Sequence, residues 1–390
     1  MEEDSDAWET PSLTHAVVIH RLSSIDYRLY IRPMRILHVL NHVDRVGNGI
    51  VHVAVDLACV QARDGHEVWV ASRGGAYEPL LERYGVRHVR LDQSRRPLAV
   101  LRAIVALRRL LHDARPDIVH AHMVTGYLLA RLLRPLARWR LVASVHNEWQ
   151  RSSTLMGGAD RVIVMSEDAV GRLSARGMRR ERLRAVRNGT VGSPRLLDEG
   201  EATAGLQQPA VVTVAGMYER KGIVELIGAF AVLAPLHPEA HLYLVGEGPD
   251  RARFEALARE TPAAARIHFE GFQPSPRPWL REAAVFVLAS RAEPGGLVLP
   301  EARDCGCAIV ATSVDGSPEL LDGGRAGVLV PPRDIPALAA AITRLLDDPA
   351  ERARWRAAAR ANLDWLGIER QHRETLAVYL EAQAWLAASR

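Results

Sequence analysis

From Met34 onward, two rhythms of apolar positions alternate along the chain. Short β-rich runs are followed by longer stretches with helical spacing, most of them closed by glycine or proline. The first run, Ile36–Leu40 within Arg35–Asn41, predicts a strand. Val46-Gly47-Asn48-Gly49 predicts a turn, and Ile50–Arg63, with Val51, Val55 and Ala58 on one face, a helix stopped at Gly65. The same reading predicts strands at 67–71, 86–91, 117–122, 141–146 and 161–165. Helices fall between and after them, at 77–84, 98–113, 126–136 and 167–176. Asn188 to about Pro209 is rich in Gly, Pro and charge and reads as a linker. The rhythm then restarts with strands at 211–215, 241–245, 267–269 and 285–289. Helices are predicted at 222–233, 250–259 and 278–283, from Leu297, and from Ile335 to the end. Strand–helix alternation predicts an α/β fold with parallel sheets, here two Rossmann-like doubly wound domains facing a cleft. The expected divisions are 34–190, 191–365 and a C-terminal helix, 366–390, packing back on the first domain. Residues 1–33 lack the rhythm and read as a tail, or as sequence upstream of a misassigned start.

In an open α/β sheet, ligands lie beyond the carboxyl ends of the strands, and the chemistry-bearing residues fall there. After the run Val285–Ala289 come Ser290, Glu293, Gly295 and Gly296, and then a helical segment from Leu297 that carries Glu301. A strand, a glycine turn and a helix start point backbone N–H groups at an anion. Carboxylates beside such a site suit sugar hydroxyls, because each oxygen accepts two hydrogen bonds. Phosphate together with hydroxyls means a nucleotide or a sugar nucleotide. Arg220-Lys221-Gly222 opens a predicted helix, where two cations are unfavourable unless an anion sits between them and the amides. Lys221 is the sole lysine of the chain.

The segment from Glu293 through Glu301-Ala302, Cys305-Gly306, Ile309-Val310-Ala311, Gly316, Pro318-Glu319 and Gly327–Val330 resembles the donor site of retaining GT-B glycosyltransferases of family 4. Weaker matches run from Met34 to about Leu386. The resemblance implies the GT-B fold, a nucleoside diphosphate sugar as donor and no cofactor. It also implies that Glu301 takes the ribose hydroxyls, Glu293 those of the donor sugar, and that His146, after the run LVASVH, touches sugar and phosphate. Gly295, Gly296 and Leu297 would offer backbone to the donor, and Gly49, in a glycine loop interrupted by Asn48, would approach the phosphates. The chain departs from the family's pattern at Met217, where an arginine is usual, leaving Arg220 as the substitute, and at Pro294-Gly295-Gly296. Gly246-Glu247-Gly248 reads as a turn and helix cap, with a base-pocket role as the alternative. Glu293 as a nucleophile is the alternative to proton transfer onto the leaving phosphate. A non-catalytic sugar-nucleotide binder and a GT-B epimerase remain as other readings.

No Asp-x-Asp follows a predicted strand, which favours diphosphate neutralisation by Arg220, Lys221 and helix dipoles without a metal. His120 and His122 share one strand face and suit either a metal pair or a polar strand end. A net charge of +4 is too small for a dedicated nucleic-acid binder and suits an anionic substrate or membrane surface. Three cysteines (Cys59, Cys305, Cys307) predict a reducing compartment, and the acidic start is unlike a signal peptide. With no run near the ~20 apolar residues that span a bilayer, the expected location is cytoplasmic. Leu98–Arg109 and Arg131–Arg140 mix arginines with apolar residues and Trp139. Those segments predict either ordinary amphipathic helices or a peripheral seat on an anionic inner leaflet, with a glycan or lipid-linked acceptor.

Overall fold

The computed structural model describes residues 32–94, 96–136, 138–197, 202–293 and 295–387. All but the last two positions of the expected tail, and Pro294, lie outside them. The first domain runs β1 (Arg35–Val39), α1 (Gly49–Arg63), β2 (Glu67–Ser72), α2 (Glu78–Arg83), β3 (Arg87–Arg90) and α3 (Pro97–Ala114). It continues with β4 (Ile118–Ala121), α4 (Val124–Leu133), β5 (Arg140–Val145), β6 (Arg161–Val164), α5 (Glu167–Ala175) and β7 (Leu183–Ala185). A short helix, α6 (Pro194–Leu197), leads into β8 (Ala210–Val214), α7 (Ile223–Leu233), β9 (His241–Val245), α8 (Arg251–Arg259), β10 (Ile267–Gly271) and α9 (Arg277–Glu282). Then come β11 (Val285–Leu288), α10 (Val298–Asp304), β12 (Ile309–Thr312), α11 (Ser317–Leu320) and β13 (Val328–Val330). The chain ends in α12 (Ile335–Asp347), α13 (Pro349–Ala359) and α14 (Ile368–Ala387).

Both sheets are parallel, ordered β3-β2-β1-β4-β5-β6-β7 and β10-β9-β8-β11-β12-β13. Each is doubly wound, as the alternation of runs predicts, and each reverses direction beside its first strand, between β1 and β4 and between β8 and β11. Helices cover both faces, so β5 and β11 are buried throughout and read as unbroken apolar runs. One face of the first sheet packs Leu107, Tyr127 and Leu173 from its own helices. On the other face, Leu376, Val378, Tyr379 and Ala382 of α14 pack on Ile36, Ile118, Val142 and Ile163. Fully burying Leu376 and Val378 contributes roughly 1.5–3 kcal/mol each, so the last helix is part of the first domain's core.

The described part of the stretch read as a linker holds α6, and Val191 in it bridges to Gly367. Four helical residues are too few to show a period. The 3₁₀ segment Arg151–Gly158 and the strand β7 also lack a clear pattern.

Candidate active site in the interdomain cleft

The two switch points face one cleft of about 680 Å³, within the range of ligand pockets. From the first domain it is lined by Gly49 and His52 of α1 and by His146 after β5. From the second it is lined by Arg220, Lys221, Glu293, Gly295, Gly296, Leu297 and Glu301. The predicted site residues are therefore brought together. Gly49 and Leu297 meet across the cleft, where a Cβ on Gly49 would stand 3.4 Å from Leu297 Cδ1.

The N-terminus of α1 opens into the cleft. Asn48 is its cap, with Oδ1 accepting from Ile50 N at 3.1 Å, so the residue that interrupts the glycine pair has a structural use. No acidic side chain sits in the first turn of α1, leaving its positive end uncompensated by the helix itself.

In the second domain, Glu219–Lys221 forms a 3₁₀ turn and Gly222 starts α7 at φ +67°. A Cβ there would lie 1.8 Å from Ala289 O, so only glycine lets this turn press against the end of β11. That approach joins the Lys221 ammonium to Glu293 Oε2, to which Ser290 Oγ donates at 2.9 Å. The Glu293 amide donates to Asp315 Oδ2 at 2.6 Å, and Asp315 itself sits at φ +43°, a left-handed position that Asp tolerates better than most residues. The Arg220 guanidinium lies over the Tyr218 ring at 5.8 Å and 3.5 Å from Ala292 O, at the cleft wall. Met217 is fully buried in the core and offers the cleft no side chain. Glu301 lies in the first turn and a half of α10, and Pro300 falls early enough in that helix to be tolerated.

Arg195 is a residue that pattern reading missed. Its guanidinium is buried, with Nε 2.8 Å from Asp56 Oδ2 of α1 and Nη2 3.9 Å from Glu301 Oε1. Burial opposes its charge, but Asp56, Glu301 and Tyr77 outweigh burial and raise its pKa. Through it, α6 ties the first domain to the carboxylate expected to hold ribose. Its only signal in sequence is an arginine in a Gly/Pro-rich stretch.

His146 stays neutral because burial lowers its pKa to about 4. His120 lies in β4 and His122 directly follows that strand; His122 stands beside His146, which lines the cleft, but neither of the pair does. Both are buried, joined by His38, and hydrogen-bonded through their ring nitrogens. Gly246 at φ +141° and Glu247 line the cleft. Asp250 is the N-cap residue of α8, but its side chain caps no helix amide and accepts from Glu219 N at 2.8 Å. The cysteines are buried, with Cys307 Sγ against Leu280 O at 3.0 Å. The arginine-rich segments need correction too. Trp139 is buried beneath Arg134, whose guanidinium also pairs with Asp160 at 2.7 Å, and Leu107 is fully buried.

Two doubly wound domains with a ligand-sized cleft between their switch points define the GT-B class of fold. Residues 199–362 match the model of "Glycosyl transferases group 1" and residues 47–190 that of "Glycosyltransferase Family 4". The glycogen synthase of Mycobacterium tuberculosis is 31% identical over 329 residues, covering 75% of this chain and 74% of that protein. The lipopolysaccharide core biosynthesis glycosyltransferase LpsE of Rhizobium meliloti is 27% identical over 269 residues, 69% of this chain and 74% of its own. The structure of Anabaena Alr3699/HepE in complex with UDP and glucose superposes with a TM-score of 0.73. It is 22% identical and covers 88% of this chain and 99% of that one. The chain belongs to the group 1 family of GT-B glycosyltransferases. Among the described residues, no helix is long and apolar enough to cross a membrane.

Proposed function

We propose that this enzyme moves a sugar from a nucleoside diphosphate sugar to a glycan or lipid-linked acceptor, with retention at the anomeric carbon and without a metal. The observation that carries the reading is the junction of Lys221 with Glu293 in a cleft that also holds Arg220, Glu301 and the start of α1. A departing diphosphate gathers negative charge, and preorganised cations and amides stabilise that charge most. Lys221, Arg220 and the amides of 295–297 serve this role. Glu301 takes ribose hydroxyls, and Glu293 takes sugar hydroxyls while holding Lys221 in place. The bond from the anomeric carbon to the diphosphate breaks as the bond to the acceptor oxygen forms on the same face. The acceptor's proton goes to a leaving phosphate oxygen. Glu293, already engaged by Lys221 and Ser290, is better suited to binding than to nucleophilic attack.

The relative in complex with UDP and glucose supports a nucleoside diphosphate sugar as donor class. The fold also supports a seat on an anionic inner leaflet. Leu98, Leu101 and Val105 form an exposed row on α3, and Leu128 and Leu132 are exposed on neighbouring α4, with Arg102, Arg108, Arg109 and Arg131 exposed as well. Apolar residues interleaved with arginines match a bilayer interface. The test of the function is release of free nucleoside diphosphate from a panel of donors in excess EDTA. Release from at least one donor is expected. Binding without release would leave a non-catalytic binder, and release only after Mg²⁺ or Mn²⁺ is restored would refute the metal-free reading.

A further inference from the structure

Behind the cleft, four histidines cluster under α1 and α14, three of them in series. His38 lies on β1, His120 on β4, and His122 and His146 just beyond the ends of β4 and β5. His38 and His120 face each other in the ladder, and the rings of His38, His122 and His146 follow one another edge to edge, with centroids 5.2 and 5.7 Å apart and planes 24° and 22° apart, as hydrogen bonds in the ring plane require. The series begins at Gln61 of α1, buried at 0% exposure. Gln61 Oε1 is 2.7 Å from His38 Nε2, His38 Nδ1 is 2.9 Å from His122 Nε2, and His122 Nδ1 is 3.4 Å from His146 Nε2.

A neutral imidazole has one N–H and one lone pair, so each link dictates the next. The Gln61 oxygen can only accept, which places the His38 proton on Nε2. His38 Nδ1 then accepts from His122 Nε2–H, and His122 Nδ1 accepts from His146 Nε2–H. The other end of the amide agrees. Gln61 Nε2 donates to the Tyr379 hydroxyl at 3.3 Å, Tyr379 donates to His120 Nδ1 at 2.7 Å, and His120 Nε2–H donates to Ser144 Oγ at 2.7 Å. Each link in both branches thus pairs one donor with one acceptor.

We propose that Gln61 is a positioning residue which, through His38 and His122, fixes His146 as the Nε2–H tautomer. Its Nδ1 is thereby left as a hydrogen-bond acceptor for a hydroxyl of the donor sugar rather than as a donor to phosphate. The hydroxyl assignment rests on the cleft being a sugar-nucleotide site. The relay needs neutral rings. Burial lowers His38 and His146 to about 4 and His120 and His122 well below the ordinary range. His38, His120 and His122 also lie close enough to suggest a metal site, but the His38–His122 contact is a hydrogen bond and both nitrogens of His120 are engaged by Tyr379 and Ser144.

Long-range ¹⁵N–¹H correlation spectra of the histidine-labelled full chain, without donor, report each tautomer directly, and His146→Gln assigns the key resonance. The expected result is Nε2–H at His38, His122 and His146 in the wild type. Gln61→Glu, whose carboxylate can only accept, should keep that order. Gln61→Met should mix the tautomers and raise the donor KM about threefold to tenfold, the worth of one neutral hydrogen bond. Nδ1–H at His146 in the wild type, the order expected if the Gln61 amide were turned over, would overturn the proposal. So would nitrogen shifts of metal-bound imidazole on adding Zn²⁺. If Gln61→Met does not fold, the wild-type spectrum still decides. That spectrum does not involve the donor, so failure of every sugar nucleotide to bind would refute the proposed function and leave the tautomer order standing.

Discussion

At the scale of single residues, the site depends on charges that would be unfavourable alone. Lys221 and Glu293 are both largely buried and compensate each other, and under the proposed function an incoming diphosphate would add a second anion to the lysine. Lys221→Ala should lower donor affinity and turnover together by an order of magnitude or more. Unchanged donor binding would remove Lys221 from the site. Arg195 is the structural counterpart. Arg195→Met would leave Asp56 buried without its cation, and breaking such a pair costs about 3–5 kcal/mol. Denaturant unfolding should show that loss, and Asp56→Asn combined with Arg195→Met should recover part of it. The buried histidines set a pH dependence of stability. His38, His66 and His146 are depressed by burial to about 4, while the unfolded chain protonates histidine near 6.5. Their contribution is full above pH 6.5 and is lost as pH falls towards 4. Unfolding near pH 5 should take up two or more protons, a slope of at least roughly 2.7 kcal/mol per pH unit. A slope below that of one proton would show that these rings are not held neutral.

At the scale of elements, what could be read from the chain depended on length and period. The long strand and helix segments were legible because burial on both sheet faces leaves unbroken apolar runs, as in β5 and β11. The cluster at 293–301 was legible because a strand, a glycine turn and two carboxylates have few other uses together. Arg195 was not, because α6 is four residues long and its partners Asp56 and Glu301 are remote in sequence. The histidine series was only half visible. The spacing of His120 and His122 places them on one face, but only the parallel register of β1 and β4 brings His38 beside them. Pattern also overstated the membrane segments, since helical spacing does not tell which apolar residues turn inward, and Leu107 and Trp139 do. The exposed arginines of α3 define the sharper test. Co-sedimentation with anionic vesicles should weaken with salt and fall when Arg102, Arg108 and Arg109 become glutamine. No binding at low salt would rule out an autonomous membrane seat.

At the scale of the whole molecule, two doubly wound domains place six- and seven-stranded sheets so that both switch points open on one cleft. Among the described residues, several meet across it. Gly49 meets Leu297, the Arg195 guanidinium lies between Asp56 and Glu301, and Arg187 pairs with Glu319. The α14 helix returns from the second domain to complete the core of the first. Donor binding is therefore expected to depend on both halves, with cations and helix termini doing what a metal does in other diphosphate sites. The most direct measurement is calorimetric titration of the full chain with a panel of nucleoside diphosphate sugars in excess EDTA, repeated with Lys221→Ala. At least one donor is expected to bind the wild type without a divalent ion, and the variant to bind it at least about tenfold more weakly. No binding by any donor, or equal binding by the variant, would rule out a metal-free donor site built on Lys221.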